Sequence, residues 1–144
     1  MYSLKDLSTM TMLSDRTLRN YLDAGILQGK KENGAWVFTS EQIELFLQND
    51  MVKSAIRTKK NAIVKDFIVN SKKKGNSVCL IWDLPDADPS QVGRFICDAA
   101  GKRDDVLMSF ENTGKKNRII LSGSETAVYE IMTEFRRQFP SAPS

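Results

Sequence analysis

Within its first 48 residues this chain starts and stops three helices, and that punctuation constrains the fold more than any other feature. Ser3 stands before "LKDLSTM", where Leu4 and Leu7 share one helical face. "TML" makes a turn, and Ser14 caps a second helix with Asp15 beside its positive end. Leu18, Tyr21 and Leu22 give this helix an inward face, and Gly25 ends it. Ile26-Leu27 and Trp36-Val37-Phe38 predict two strands joined by a hairpin turn over "KENG". Thr39 or Ser40 caps a third helix, with Glu41 in its first turn and Ile43, Phe46 and Leu47 at helical spacing. Two short helices around a tight turn match the helix-turn-helix pattern.

Residues 49–76 read as a linker built on one long helix from Val52 to about Asn70. Val52, Ile56, Ile63 and Phe67 form an apolar stripe suited to helix pairing. Lys59 and Lys60 stand where the stripe should continue, so the seam is interrupted. "SKKKGNS" is a polar breaker and the best domain boundary in the chain. Residues 77–140 then read β-α-β-β-α, a two-layer α+β domain resembling a ferredoxin-like sheet that lacks one strand. "SVCLIWDL" is its first strand, buried on both faces. Asp88 caps the next helix, with Pro89 in its first position and Val92, Phe95, Ile96 and Ala99 on its inner face. "DVLMSFE" and "NRIILSG" form a hairpin across "NTGKKN". The last helix starts after Ser124 and turns Val128, Ile131, Met132, Phe135 and Phe139 inward. Residues 141–144 are a frayed tail.

Composition narrows the function. The chain has no histidine and two cysteines, Cys79 and Cys97, each within an apolar stretch. That supply is too thin for a zinc site, and buried reduced thiols are expected. Asp83, Asp86 and Asp88 crowd one turn, but one of them is already a helix cap, so no metal and no cofactor is expected. No nucleophile–base pair and no phosphate-cradling glycine loop is present, so the reading is not an enzyme. No segment reads as a signal peptide or membrane span, which points to a cytoplasmic protein without membrane contact. Charge is uneven. Residues 1–48 hold 5 basic and 6 acidic side chains, whereas residues 49–76 hold 8 and 2. An electrostatic attraction to a polyanion therefore leans on the linker.

In a helix-turn-helix the second helix enters the DNA major groove and offers its N-terminal residues to base edges. Arg16, Thr17 and Asn20 lie opposite Leu18 and Leu22 on that helix. Arginine pairs with guanine and asparagine with adenine, and either also binds phosphate. Arg19 and Tyr21 are placed to reach the backbone, as are Lys30, Lys31 and Asn33 at the hairpin tip. An ordinary solvated polar face remains the alternative. "SLKDLSTMTMLSDRTLRNYLDAGIL" resembles the opening of the MerR family of bacterial regulators. That resemblance implies a winged helix-turn-helix over residues 2–48. It places Arg16, Thr17, Arg19 and Tyr21 on DNA-contacting positions, and Ser14, which opens the "SDRTLRNY" part of that stretch, is counted with them. Asn20 stands where the family usually has an aromatic residue. The wing, Gly34-Ala35-Trp36-Val37-Phe38, lacks the family's arginine and, followed by "TSEQIELFL", is closer to the excisionase-like branch of the superfamily. Trp36 is expected in the core.

The resemblance further implies a homodimer paired through the helix after the winged domain, here by Val52, Ile56, Ile63 and Phe67. The expected function is sequence-specific binding of double-stranded DNA as a dimeric transcription regulator. Its C-terminal domain would hold subunits together or sense a small-molecule effector. An excisionase-like DNA-bending protein, or a protein-interaction module with a non-binding winged helix, are the other readings.

Overall fold

The computed structural model describes residues 1–70, 75–112 and 116–141. It is a mixed α+β structure, and its described residues form six helices and two small antiparallel sheets. Strand β1 (Tyr2–Ser3) runs directly into α1 (Leu4–Thr11). Ser3 closes a capping box there: its Oγ accepts from the Asp6 N–H, and Asp6 Oδ2 accepts from the Ser3 N–H. Helix α1 stops at Met12, which takes a left-handed φ of 64°. Two hydroxyls hold that turn. The buried Thr11 Oγ1 donates to Leu7 O at 2.7 Å and accepts from the Leu13 N–H at 3.1 Å, while Ser8 Oγ donates to Leu13 O at 2.7 Å. Helix α2 (Asp15–Asp23) follows, with Ser14 Oγ accepting from the Thr17 N–H. It closes in a Schellman motif, in which the Gly25 N–H donates to Leu22 O and the Ile26 N–H to Tyr21 O. Gly25 sits at φ 77°, where a side chain would be strained.

The expected strand at Ile26-Leu27 is a loop instead. Both N–H groups are spent on Tyr21 O, so neither is free for a ladder, and Leu27 drops into the core. The hairpin begins later, with β2 (Lys30–Glu32) and β3 (Ala35–Phe38). Glu32 pairs with Ala35, leaving a two-residue turn of Asn33 and Gly34 at φ 52° and 80°. Positive φ at both positions is the type I′ turn that matches strand twist. Strand β1, which the sequence pattern does not predict, pairs with the other side of β3, Tyr2 opposite Phe38. Helix α3 (Ser40–Leu47) is capped by Thr39 in a second capping box with Gln42, and α4 (Asp50–Val69) by Asn49.

The remaining elements are β4 (Ser77–Leu84), α5 (Pro89–Lys102), β5 (Val106–Asn112), β6 (Asn117–Ser124) and α6 (Glu125–Gln138). The βαββα order agrees with the sequence pattern, and the strands lie in the order β4-β6-β5. Asp88 occupies the N-cap of α5 but makes no side-chain cap bond; Pro89 alone supplies the helix-starting geometry. Asn117 is a buried tie that no local pattern marks. Its Nδ2 donates to Leu84 O at 3.1 Å and Ala87 O at 2.7 Å, joining the start of β6 to the end of β4 and the approach to α5.

Alternation along the strands divides the sheet. Val78, Leu80 and Trp82 of β4 pair through Ile119 and Leu121 of β6 with Met108 and Phe110 of β5, and α5 and α6 cover this face. The opposite face carries Ile120 and Ser109, both buried, and Arg118 beside Glu111. Helix α4 lies across it, which corrects the expectation for the linker. Val52, Ile56 and Ile63 are 0%, 5% and 4% exposed within a single chain, and Phe67 is half-buried. The stripe read as a pairing surface therefore seats α4 on its own chain. The reason is geometric: Ile120 at the middle of this face needs cover, and α5 and α6 lie on the other face.

One hydrophobic core runs from α2 and α3 to α6, across the expected domain boundary. Helix α1 lies against both α2 and the β5 side of the sheet. Tyr2 Oη donates to Ser90 O, the Arg94 guanidinium reaches Asp6 at 3.0 Å and lies over the Tyr2 ring, and Cys97 Sγ donates to Asp6 O. Most of the expected breaker "SKKKGNS", the middle of the "NTGKKN" turn, and the tail after Ser141 lie outside the described residues.

Candidate nucleic-acid interface

The outer face of α2 is built by what holds its inner face. Leu18 is fully buried, and Tyr21 turns its ring edge-on to Phe46, centroids 5.6 Å apart. With both ends fixed by Ser14 and the Gly25 closure, the helix presents Arg16, Arg19 and Asn20 to solvent. Arg16 and Asn20, four residues apart on one face, have no side-chain partner among the described residues. Arg19 is engaged: its Nε meets Asp15 Oδ2 at 2.7 Å along the helix. Thr17 is half-buried, and its Oγ1 accepts from Ser14 Oγ at 2.9 Å, so both hydroxyls also serve the cap. Tyr21 is half-buried against Phe46 rather than fully presented.

The hairpin carries the second group. Lys30, Lys31 and Asn33 are all exposed. Lys31 Nζ lies over the Trp36 ring at 5.3 Å, and Lys30 is 3.7 Å from Glu32. Trp36 stacks on Phe38, centroids 6.5 Å apart, and is half-buried, so it props the hairpin on the core. Local charge is nearly balanced, with Arg16 and Arg19 against Asp15 and Asp23 on α2. The unbalanced positive charge is on α4. Lys53, Arg57, Lys59 and Lys65 are exposed and ion-paired to nothing among the described residues.

Lys60 is the residue of this helix that the pattern misplaces. It continues the Val52–Ile56 spacing by four, and the structure buries it in the stripe with Nζ 2.8 Å from Glu111 Oε2. Burial pulls its ammonium down to about 8, against the opposing pull of Glu111. The signal was the interruption itself: a lysine at a stripe position needs a carboxylate across from it.

The other chemistry-bearing groups are committed to structure. Both Asp83 oxygens are held, Oδ1 by Arg118 Nε at 2.7 Å and Oδ2 by Lys116 Nζ at 3.0 Å. These hydrogen bonds, Arg118 first, hold its carboxyl well below the usual range. Burial pushes the Cys97 thiol up to about 12, the opposite of an activated nucleophile. Among the described residues no helix is long and apolar enough to cross a membrane. No family model matches the chain, and no curated protein or solved structure matches it either.

Proposed function

We propose that this chain binds double-stranded DNA sequence-specifically as a winged helix-turn-helix regulator of MerR-like type, with α2 in the major groove and the β2–β3 hairpin as the wing. The observation that carries this reading is the pairing of a locked inner face with a free outer one: Leu18 is fully buried while Arg16 and Asn20 have no partner among the described residues. A bidentate side chain discriminates bases only if its helix is held still. The unpaired cations of α4 supply the sequence-independent attraction to phosphate that the balanced first 48 residues lack. A cleft of about 460 Å³ lies between α3 and the start of α5, lined by Tyr2, Met10, Ile43, Leu47, Ser90 and Phe110. A small-molecule effector seated there would touch the segment that positions α1, and through it α2.

The test is selection of bound fragments from a genomic library with the purified chain. An enriched motif that Asn20→Ala relaxes at one position supports the reading; no enrichment at low salt refutes it. A protein-interaction role is the second reading, favoured by the 5 basic against 6 acidic side chains of residues 1–48. It predicts the absence of any enriched fragment.

A further inference from the structure

The sheet of β4, β5 and β6 has two edges, and they are treated differently. On the β5 edge, Val106, Met108 and Phe110 are 7%, 6% and 3% exposed, under α1 and α5. On the β4 edge, Val78, Leu80 and Trp82 point to the same core face yet are only half-buried, and Ile81 on the other face is 56% exposed. No strand and no backbone hydrogen bond engages the outer side of β4 among the described residues. The usual protections of an edge are missing too. Strand β4 contains no proline, glycine or lysine, and its pairing with β6 runs unbroken over eight residues with no bulge.

We infer that a second copy of this chain covers this edge, pairing β4 antiparallel with its own β4 about a two-fold axis at Ile81. An axis normal to the sheet makes like faces continuous, so each residue meets one of the same face. With Ile81 opposite its own copy, Leu80 meets Trp82 of the second copy and Val78 meets its Leu84. Both are apolar pairs on the core face, with Val78, Leu80 and Trp82 half-buried and Leu84 already buried. Cys79 meets Asp83. The charges are self-compatible. Asp83 is the only charged residue of β4 and is already held by Lys116 and Arg118. The two copies of Asp83 lie about 13 Å apart along the strands, too far to repel strongly. A foreign strand would gain the same backbone bonds, but only a second copy brings an apolar row matched in length and face. The pairing makes one six-stranded sheet and replaces α4, whose apolar stripe is already buried, as the assembly element. It also sets two copies of α2 in two-fold relation, but it does not depend on DNA binding.

Sedimentation velocity of the full chain without DNA tests this. The wild type should be dimeric at micromolar concentration, and Ile81→Lys should be monomeric with an unchanged circular dichroism spectrum. Ile81 is exposed in the single chain, so this change leaves the core intact. Ile81→Cys in a Cys79→Ser background gives a second readout: opposed Cα atoms about 4.5–5.5 Å apart fall within disulfide range, so oxidation should yield a covalent dimer linked at position 81. A wild type that stays monomeric at all concentrations overturns the proposal and leaves the edge to a foreign strand. A dimer that survives Ile81→Lys and gives no cross-link at 81 also overturns it.

Discussion

Lys60 Nζ lies 2.8 Å from Glu111 Oε2 beneath α4, which ties the long helix to an edge of the sheet by one charge pair. The lysine side chain is 5% exposed and the glutamate side chain 30%, so the ammonium is the more dependent partner. Glu111→Ala should therefore destabilise the chain by up to about 3 kcal/mol, because it strands a buried cation. The double change Lys60→Met with Glu111→Leu removes both charges and should stay within about 1 kcal/mol of wild type. Urea denaturation of the two variants decides this. Equal losses would mean that the pair contributes packing and not charge compensation.

The same pair sets a pH dependence. Lys60 titrates near 8 when folded and near 10.5 when exposed, so below pH 8 the folded chain bears a proton that burial opposes. Between pH 8 and 10.5 the unfolded chain holds that proton while the folded one has released it, so stability rises with pH. Cys97 acts in the opposite direction. Its thiol ionises near 9 when unfolded and near 12 when folded, so stability falls as pH rises through that window. Thermal melts should therefore show a rise from pH 8 to 9 that Lys60→Met abolishes, and a later fall that Cys97→Ala reduces.

For DNA, Asn20→Ala should cost about 1–3 kcal/mol on the preferred site and relax specificity at one base pair. Arg16→Ala should do the same at a neighbouring position. Titrations on the preferred and singly altered sites measure both. If each variant keeps full affinity and full site preference, α2 is not the reading helix.

Salt dependence tests whether the cations of α4 meet phosphate. Neutralising Lys53, Arg57 and Lys65 together should flatten the plot of log affinity against log salt by about 0.9 for each phosphate no longer neutralised. All three are exposed, so the variant should fold as the wild type does. An unchanged slope would assign these cations to solvent alone.

The sequence disclosed elements better than it disclosed partners. The caps at Ser3, Ser14 and Ser124 are local chemistry, and all three stand where the sequence pattern puts them. The βαββα order followed from hydrophobic period and turn signals. The strand at Ile26-Leu27 failed because the glycine closure that ends α2 takes both N–H groups, a backbone event that hydrophobicity does not register. Strand β1 is two residues long and has no period to detect. The stripe on α4 was real, but a stripe names a buried face and not what buries it. Whether it met a second helix or its own sheet depended on distant partners, as Glu111 is 51 residues from Lys60. Exposed α2 residues were legible as candidates because a polar face opposite Leu18 and Leu22 is a local pattern. The engagement of Arg19 by Asp15 follows from their spacing of four residues.

The seam formed by Tyr2 with Ser90, and by Asp6 with Arg94, has a consequence for cooperativity. Residues at the very start of the chain complete a surface that begins near position 90, so neither half can close without the other. Cut free, the first forty-eight residues should expose Tyr2 and Met10, which are buried in the intact chain, and melt early. Heating the intact chain should give one sigmoidal transition by every probe. Hydrogen exchange should likewise show α1 and β5 opening together, as a single foldon whose stability the opening residues and the start of α5 hold in common.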